Sequence, residues 1–175
     1  MELYLDREKL PEQNADEELS KTGVKAFERF EEIARQTDRY DAAGKSDVLL
    51  LEEKAGQGQA VAVGKDVFYL IKQVKNYQYP QVDLTLGPVI DLWNKAREEK
   101  KLPEPADLKE AMNKMGMEKV HIDDEGVYLE QEGMSLDFGA VAKGYALEEA
   151  CTVCKESGMP VYGIINAGGN VKTVG

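Results

Sequence analysis

Residues 135–150 read SLDFGAVAKGYALEEA. Apolar and polar residues alternate through MSLDF (134–138), a strand signal, and small residues then take over before a helical pattern begins. In that pattern Leu147, Ala150, Cys151 and Cys154 fall at i, i+3, i+4 and i+7, one apolar stripe. A helix beginning at Gly139 or Ala140 would direct its free N–H groups and positive dipole end toward whatever lies beyond Asp137. Small side chains at 139, 140 and 142 leave the backbone open to a bulky ligand, and Lys143, one turn along from Gly139, can add a full positive charge. Two readings follow from these residues alone. One is an anion pocket for a phosphate or nucleotide; the other is a structural corner in which Asp137 caps the helix and pairs with Lys143. The stretch carries neither G-x-x-x-x-G-K-[ST] nor G-x-G-x-x-G, so it is no familiar phosphate loop.

Apolar spacing predicts four more helices. Phe27, Phe30 and Ala34 share a face in VKAFERFEEIAR, and Val67, Leu70, Ile71 and Val74 do so in KDVFYLIKQVKNY. A third helix begins near Pro88 with Leu86, Val89, Ile90 and Trp93 on one side; a fourth carries Leu108, Ala111, Met112 and Met115, with Gly116 just past its end. Extended segments are expected at QAVAV (59–63), at EKVHI and GVYLE joined through Asp123, Asp124 and Glu125 as a hairpin, at MSLDF, and at VYGII before NAGGNVKTVG. Alternation turns His121, the only histidine, away from Val120 and Ile122 and toward solvent. Residues 1–21 are acidic and poorly periodic, and 97–106 read as a charged helix end followed by a proline-stiffened loop. Helix and strand interleave without a βαβ rhythm, which argues for an α+β fold with a mixed, largely antiparallel sheet.

The 175 residues are enough for one substantial core. No apolar run approaches the roughly 18 residues of a membrane span, and the opening residues show no basic and apolar regions of a signal peptide. A formal charge of −11 with scattered lysines argues against nucleic acid as a partner. Cys151 and Cys154 form a Cys-x-x-Cys, yet they sit on the apolar stripe and no second Cys or His pair completes a tetrahedral site, so buried thiols are expected.

Four segments carry a family resemblance. LDFGAVAKGYALEEA resembles the DLGGIAKGYAVD segment of the FAD:protein FMN transferases, the ApbE family once described as thiamine biosynthesis lipoproteins. VDLTLGPVIDLW (82–93) is similar to that family's FDPTVGPLVNLW, and IINAGGNVKTVG (164–175) to its LVNAGGNIRTVG. TDRYDAAGKSDVLLLEEKAGQGQAVAV (37–63) follows its SRYRPDSEISRLN stretch more loosely. The segments occur in the family's order over roughly residues 22–175.

The resemblance implies an ApbE-like fold and an enzyme that cleaves FAD at its diphosphate and attaches FMN to a threonine or serine hydroxyl of a target protein, assisted by Mg²⁺. It further implies an exported protein, lipid-anchored at the cell membrane. By position, Tyr40 would lie beside the flavin, Gln81, Val82 and Asp83 would contact FAD, Asp137 would hydrogen-bond the flavin nucleotide, and Lys143 would lie against FAD. Ala140 would offer a backbone carbonyl to Mg²⁺. Thr85, Gly87 and Pro88 would shape the start of a helix, and no catalytic side chain is assigned. Residues 1–21 lack the family's Gly-Thr motif, and its His-x-x-Asp-Pro and Asp-Ala-x-x-Thr segments do not occur, so the expectation is one partial ApbE-like domain over residues 1–175. Smaller departures are Gln81-Val82 for Ala-Phe, Leu84 for Pro and Glu148 for Asp. Two other functions share the pocket: a non-catalytic flavin-binding or scaffold module, and a pyrophosphatase that releases FMN and AMP to water.

Overall fold

The computed structural model describes residues 2–5, 14–40, 46–77 and 81–175. Helices and antiparallel strands make up an α+β fold, as the periodicity predicts. The chain divides into two compact units, Met1–Arg35 with Gly139–Gly175, and Gln36–Phe138.

The first unit is a three-stranded antiparallel sheet in the order β1-β4-β5, with β1 at Glu2–Leu5, β4 at Val161–Ala167 and β5 at Asn170–Val174. Two glycines, Gly168 and Gly169, both at positive φ, join β4 to β5 and set Ala167 opposite Asn170. Helix α6, Ala142–Glu156, lies on β4 and β5 and buries Leu147, Ala150, Cys151 and Cys154 with Ile165 and Val174 of the sheet. The expected stripe is thus the core-facing one. Each large side chain so buried contributes about 1.5–3 kcal/mol. Ala26 of helix α1, Ala15–Thr37, joins the same cluster, and Arg29 fastens the two helices through Glu149 Oε2, with Nη2 at 2.6 Å and Nε at 3.2 Å.

Two expectations for this unit change. On α1 the buried apolar residues are Ala26 and Ile33, with Phe30 partly buried, whereas Phe27 and Ala34 are exposed. Two 3.6-residue stripes one residue apart both fit the sequence, and the one with small Ala26 packs closer. Glu2–Leu5, inside the stretch read as unpatterned, pairs with β4 in the register Glu2↔Ile164 to Leu5↔Val161. Four residues are too few to show a period.

The second unit holds α2 (Asp47–Glu53), α3 (Lys65–Tyr77), α4 (Gly87–Glu99), α5 (Pro105–Asn113) and a hairpin of β2 (Val120–Ile122) and β3 (Val127–Leu129). Ser46 caps α2 by accepting the Leu49 N–H, and Asp47 Oδ2 accepts the Gly64 N–H at 2.7 Å ahead of α3. Val67, Leu70, Ile71 and Val74 are all buried, as their spacing predicts. Lys75 donates to the carbonyls of Met117 and Val120, tying the end of α3 to the first residue of β2. In the hairpin turn Asp123 Oδ1 accepts the N–H groups of Glu125 and Gly126. His121 stacks on Tyr128 at 4.5 Å and lies 2.9 Å from Glu130 Oε2, so it is a paired surface side chain rather than one projecting alone into water.

QAVAV forms only an isolated bridge, Val61↔Val127, where Gly126 lets the Val61 carbonyl approach. MSLDF joins no ladder. Met134, Ser135, Leu136 and Phe138 are buried on both sides of the chain, so enclosure takes the place of pairing, and the Asp137 N–H donates to Leu84 O at 2.7 Å. On α4 and α5 the expected stripes are shallow: Trp93 and Met112 are exposed and Gly87 is the only buried residue of the two helices. These helices pack mainly on each other, which leaves one side of each stripe in solvent.

Candidate functional site

A buried guanidinium organises the second unit's polar corner. Arg39 follows the last turn of α1, its side chain only 5% exposed. Its Nη2 donates to Asp91 Oδ2 at 2.7 Å and to Ser135 Oγ at 3.4 Å; its Nη1 donates to Gly87 O at 3.3 Å and lies 3.8 Å from Asp137 Oδ2. Arg39 Nε is buried with no partner among the described residues. The Arg39 Cζ lies 5.3 Å from the ring centroid of Tyr40, which is 62% exposed and accepts a hydrogen bond from Asn94 Nδ2 at 3.3 Å. Burial pushes the Glu52 carboxyl above the usual carboxylate range; Arg39 opposes that shift and Asp91 adds to it.

The segment after the third helix closes on this corner. Asp83 caps a 3-10 turn, Leu84–Leu86, with Oδ1 accepting from Thr85 N at 2.8 Å and Thr85 Oγ1 at 2.5 Å. Thr85 Oγ1, fully buried, accepts the Gly116 N–H at 2.6 Å. An added Cβ on Gly87 would meet Ser135 Oγ at 2.0 Å and Ser135 O at 2.8 Å, so only glycine lets α4 start against residue 135. Thr85, Gly87 and Pro88 therefore form the start of α4, with Pro88 in its first turn. Gln81 and Val82 are exposed, and Asp83 is half-buried.

Tyr40, Asp83 and Asp137 thus fall in one unit, Ala140 and Lys143 in the other. Residues 139–141 form a turn and α6 starts at Ala142, later than the expected Gly139 or Ala140. Val141 precedes α6 without a side-chain capping bond. Gly139 and Ala140 are exposed, and the exposed Lys143 folds back to donate from Nζ to Gly139 O at 3.0 Å. Its ammonium lies over an uncapped helix start, which concentrates positive potential at an open backbone turn.

The ApbE family model matches residues 7–175. The chain belongs to the ApbE family. It is 28% identical over 165 residues to an FAD:protein FMN transferase of Klebsiella pneumoniae (strain 342), covering 91% of this chain and 50% of that one. It is 26% identical over 161 residues to the FAD:protein FMN transferase of Treponema pallidum (strain Nichols), covering 86% and 44%. Among solved structures, the ApbE protein of Thermotoga maritima superposes with a TM-score of 0.79 at 24% identity, over 94% of this chain and 53% of that one. The flavin transferase ApbE of Vibrio cholerae gives 0.75 at 16% identity, over 89% and 51%. These likenesses establish an ApbE fold, and the chain spans about half the length of the curated relatives it matches.

In this ApbE-family chain, neither periodicity nor spacing marks Arg39, Asp91, Asn94 and Ser135 as site residues. Arg39 stands directly before Tyr40, but a buried charge leaves no periodic trace; its partners come from 48 to 96 residues away. No three His, Cys, Asp or Glu side chains among the described residues converge on a metal-sized site. The Ala140 carbonyl alone does not make a fit for Mg²⁺, which takes carboxylate or phosphate oxygens in near-octahedral array.

Proposed function

We propose that this chain carries the flavin-nucleotide half of an FAD:protein FMN transferase. The observation that carries the reading is the corner around Arg39. An exposed tyrosine ring, the 81–84 segment and the Asp137 carboxylate converge there, all three from segments whose sequence resembles the family's FAD-contacting ones. In this reading Tyr40 stacks against a planar ring and Asp137 accepts hydrogen bonds from the nucleotide; in the other unit, Lys143 and the turn before α6 offer positive potential to an anion, the role the family resemblance implies for that lysine. The acceptor hydroxyl oxygen of a threonine or serine forms a bond to the FMN phosphorus. The P–O bond to the AMP half breaks, AMP leaves, and the hydroxyl proton passes to solvent. The chain's residues bind and orient; none is assigned as the base.

Mg²⁺, when bound, would neutralise charge on the diphosphate oxygens. The membrane tether belongs to the proposal too; no helix among the described residues is long and apolar enough to cross a membrane. The test mixes the protein with FAD, Mg²⁺ and a threonine-containing acceptor and looks for flavin fluorescence on a denaturing gel. Covalent flavin supports transfer; free FMN and AMP without adduct support hydrolysis; FAD binding with neither supports a binding module. A Lys143→Ala variant with unchanged FAD affinity removes that lysine from the site.

A further inference from the structure

We propose that Arg39 is a positioning residue that fixes the Tyr40 ring and the Asp137 carboxylate in the orientation the flavin nucleotide meets. This deepens, and rests on, the flavin reading above.

Tyr40 is among the most exposed aromatic side chains described, and an exposed ring normally samples several rotamers. Here two contacts restrain it: the Arg39 guanidinium at 5.3 Å from the ring centroid, and Asn94 at the hydroxyl. The guanidinium is itself fixed, because Asp91, Ser135 and the Gly87 carbonyl hold its two terminal nitrogens from α4 and from the 134–138 segment. Nη1, held by Gly87 O, also faces Asp137 Oδ2 at 3.8 Å, beyond hydrogen-bond length, so Arg39 orients this carboxylate by charge. Asp137 side-chain exposure is 22%, enough to present an oxygen outward. One buried cation therefore connects a ring able to stack and a carboxylate, and its position depends on α4 and on Ser135, both far from Tyr40 in sequence. Lysine could supply the charge but not the planar fork that reaches Asp91, Gly87 and Ser135 together.

The test is a titration of the chain with FAD, following both affinity and the flavin emission remaining at saturation; the second reports ring stacking independently of affinity. Wild type binds FAD and quenches it, and Tyr40→Ala binds with the quench lost. Arg39→Gln and Arg39→Lys both weaken binding roughly tenfold and lose most of the quench. Circular dichroism checks that each is folded. Should the Arg39 variants not fold, Asp91→Asn decides, since Asp91 is 51% exposed and its loss loosens Arg39 without opening the core. It should weaken binding about threefold and partly restore emission. A wild type that does not bind FAD overturns the flavin reading and this proposal with it. A wild type that binds while folded Arg39 variants, or Asp91→Asn in their place, keep both affinity and quench overturns the positioning role and leaves the flavin reading standing.

Discussion

Gly87→Ala probes the contact on which the polar corner is built. Gly87 has helical angles, φ −46° and ψ −52°, so backbone preference alone would make alanine stabilising by up to about 1 kcal/mol. Space dictates the opposite sign. The new Cβ would lie 2.0 Å from Ser135 Oγ, and 2.8 Å from both Ser135 Cβ and Ser135 O, where ordinary contact begins at 3.4 Å. The hydroxyl can rotate away, at the expense of its bond from Arg39. The carbonyl cannot, so the two segments must part by about 0.6 Å, an overpacking that costs ~1–3 kcal/mol. The net is a loss of about 1–2 kcal/mol, or roughly 3–6 °C in Tm for a chain of this size. Denaturation followed by Trp93, the chain's only tryptophan and on α4 itself, reads the affected unit directly. In a Ser135→Ala background the penalty should shrink by at least about 0.5 kcal/mol, because the closest atom is gone, but not vanish. A Gly87→Ala protein that melts at or above wild type would refute the close approach of α4 to residue 135.

Four further outcomes are expected. Gly126→Ala, at φ +149° with its Cβ 2.1 Å from Val61 O, should destabilise by about 3 kcal/mol in urea; a loss under ~1 kcal/mol would deny the Val61 bridge. Thr85→Val strands the Gly116 N–H and should lose about 1–3 kcal/mol, whereas Thr85→Ser should restore most of it; equal stabilities of the two would show the hydroxyl idle. Burial pushes both thiols up, so Cys151 and Cys154 should resist a thiol reagent in the native protein and react fully in guanidinium; stoichiometric native labelling would contradict their burial. Glu52 has a raised folded pKa, so its protonated form is favoured by folding, and that contribution is present below the unfolded pKa and lost as pH rises through the folded one. Glu52→Gln should therefore gain stability relative to wild type as pH rises above the ordinary carboxylate range; a difference flat with pH would remove the shift.

The elements legible in the sequence are those whose core face is deep and one-sided. Val67, Leu70, Ile71 and Val74 bury a full helical stripe, and Leu147 to Cys154 another, so period alone locates α3 and α6. The hairpin is legible because Asp123 to Gly126 combine turn chemistry with flanking β-branched residues. Enclosure without pairing is invisible to alternation, which is why MSLDF read as a strand, and on α1 the choice between Ala26 and Phe27 depends on how closely a neighbour approaches. At the candidate site, resemblance finds Tyr40 and Asp137. Arg39 escapes because its burial is compensated by groups from α4 and residue 135, and Asp91 and Asn94 because they look like ordinary solvent-facing positions of α4.

The nesting of the two units has a consequence during synthesis. Gln36–Phe138 is one uninterrupted stretch and can acquire its structure while the remainder is still being translated. The β1-β4-β5 sheet cannot: Glu2–Leu5 pairs with Val161–Ala167, which leaves the ribosome only after all of Gln36–Phe138, so this pairing is a long-range loop closure. Until then the edge of β1 that β4 will cover stays open, and nascent chains stalled before β4 should be the ones that depend on chaperones.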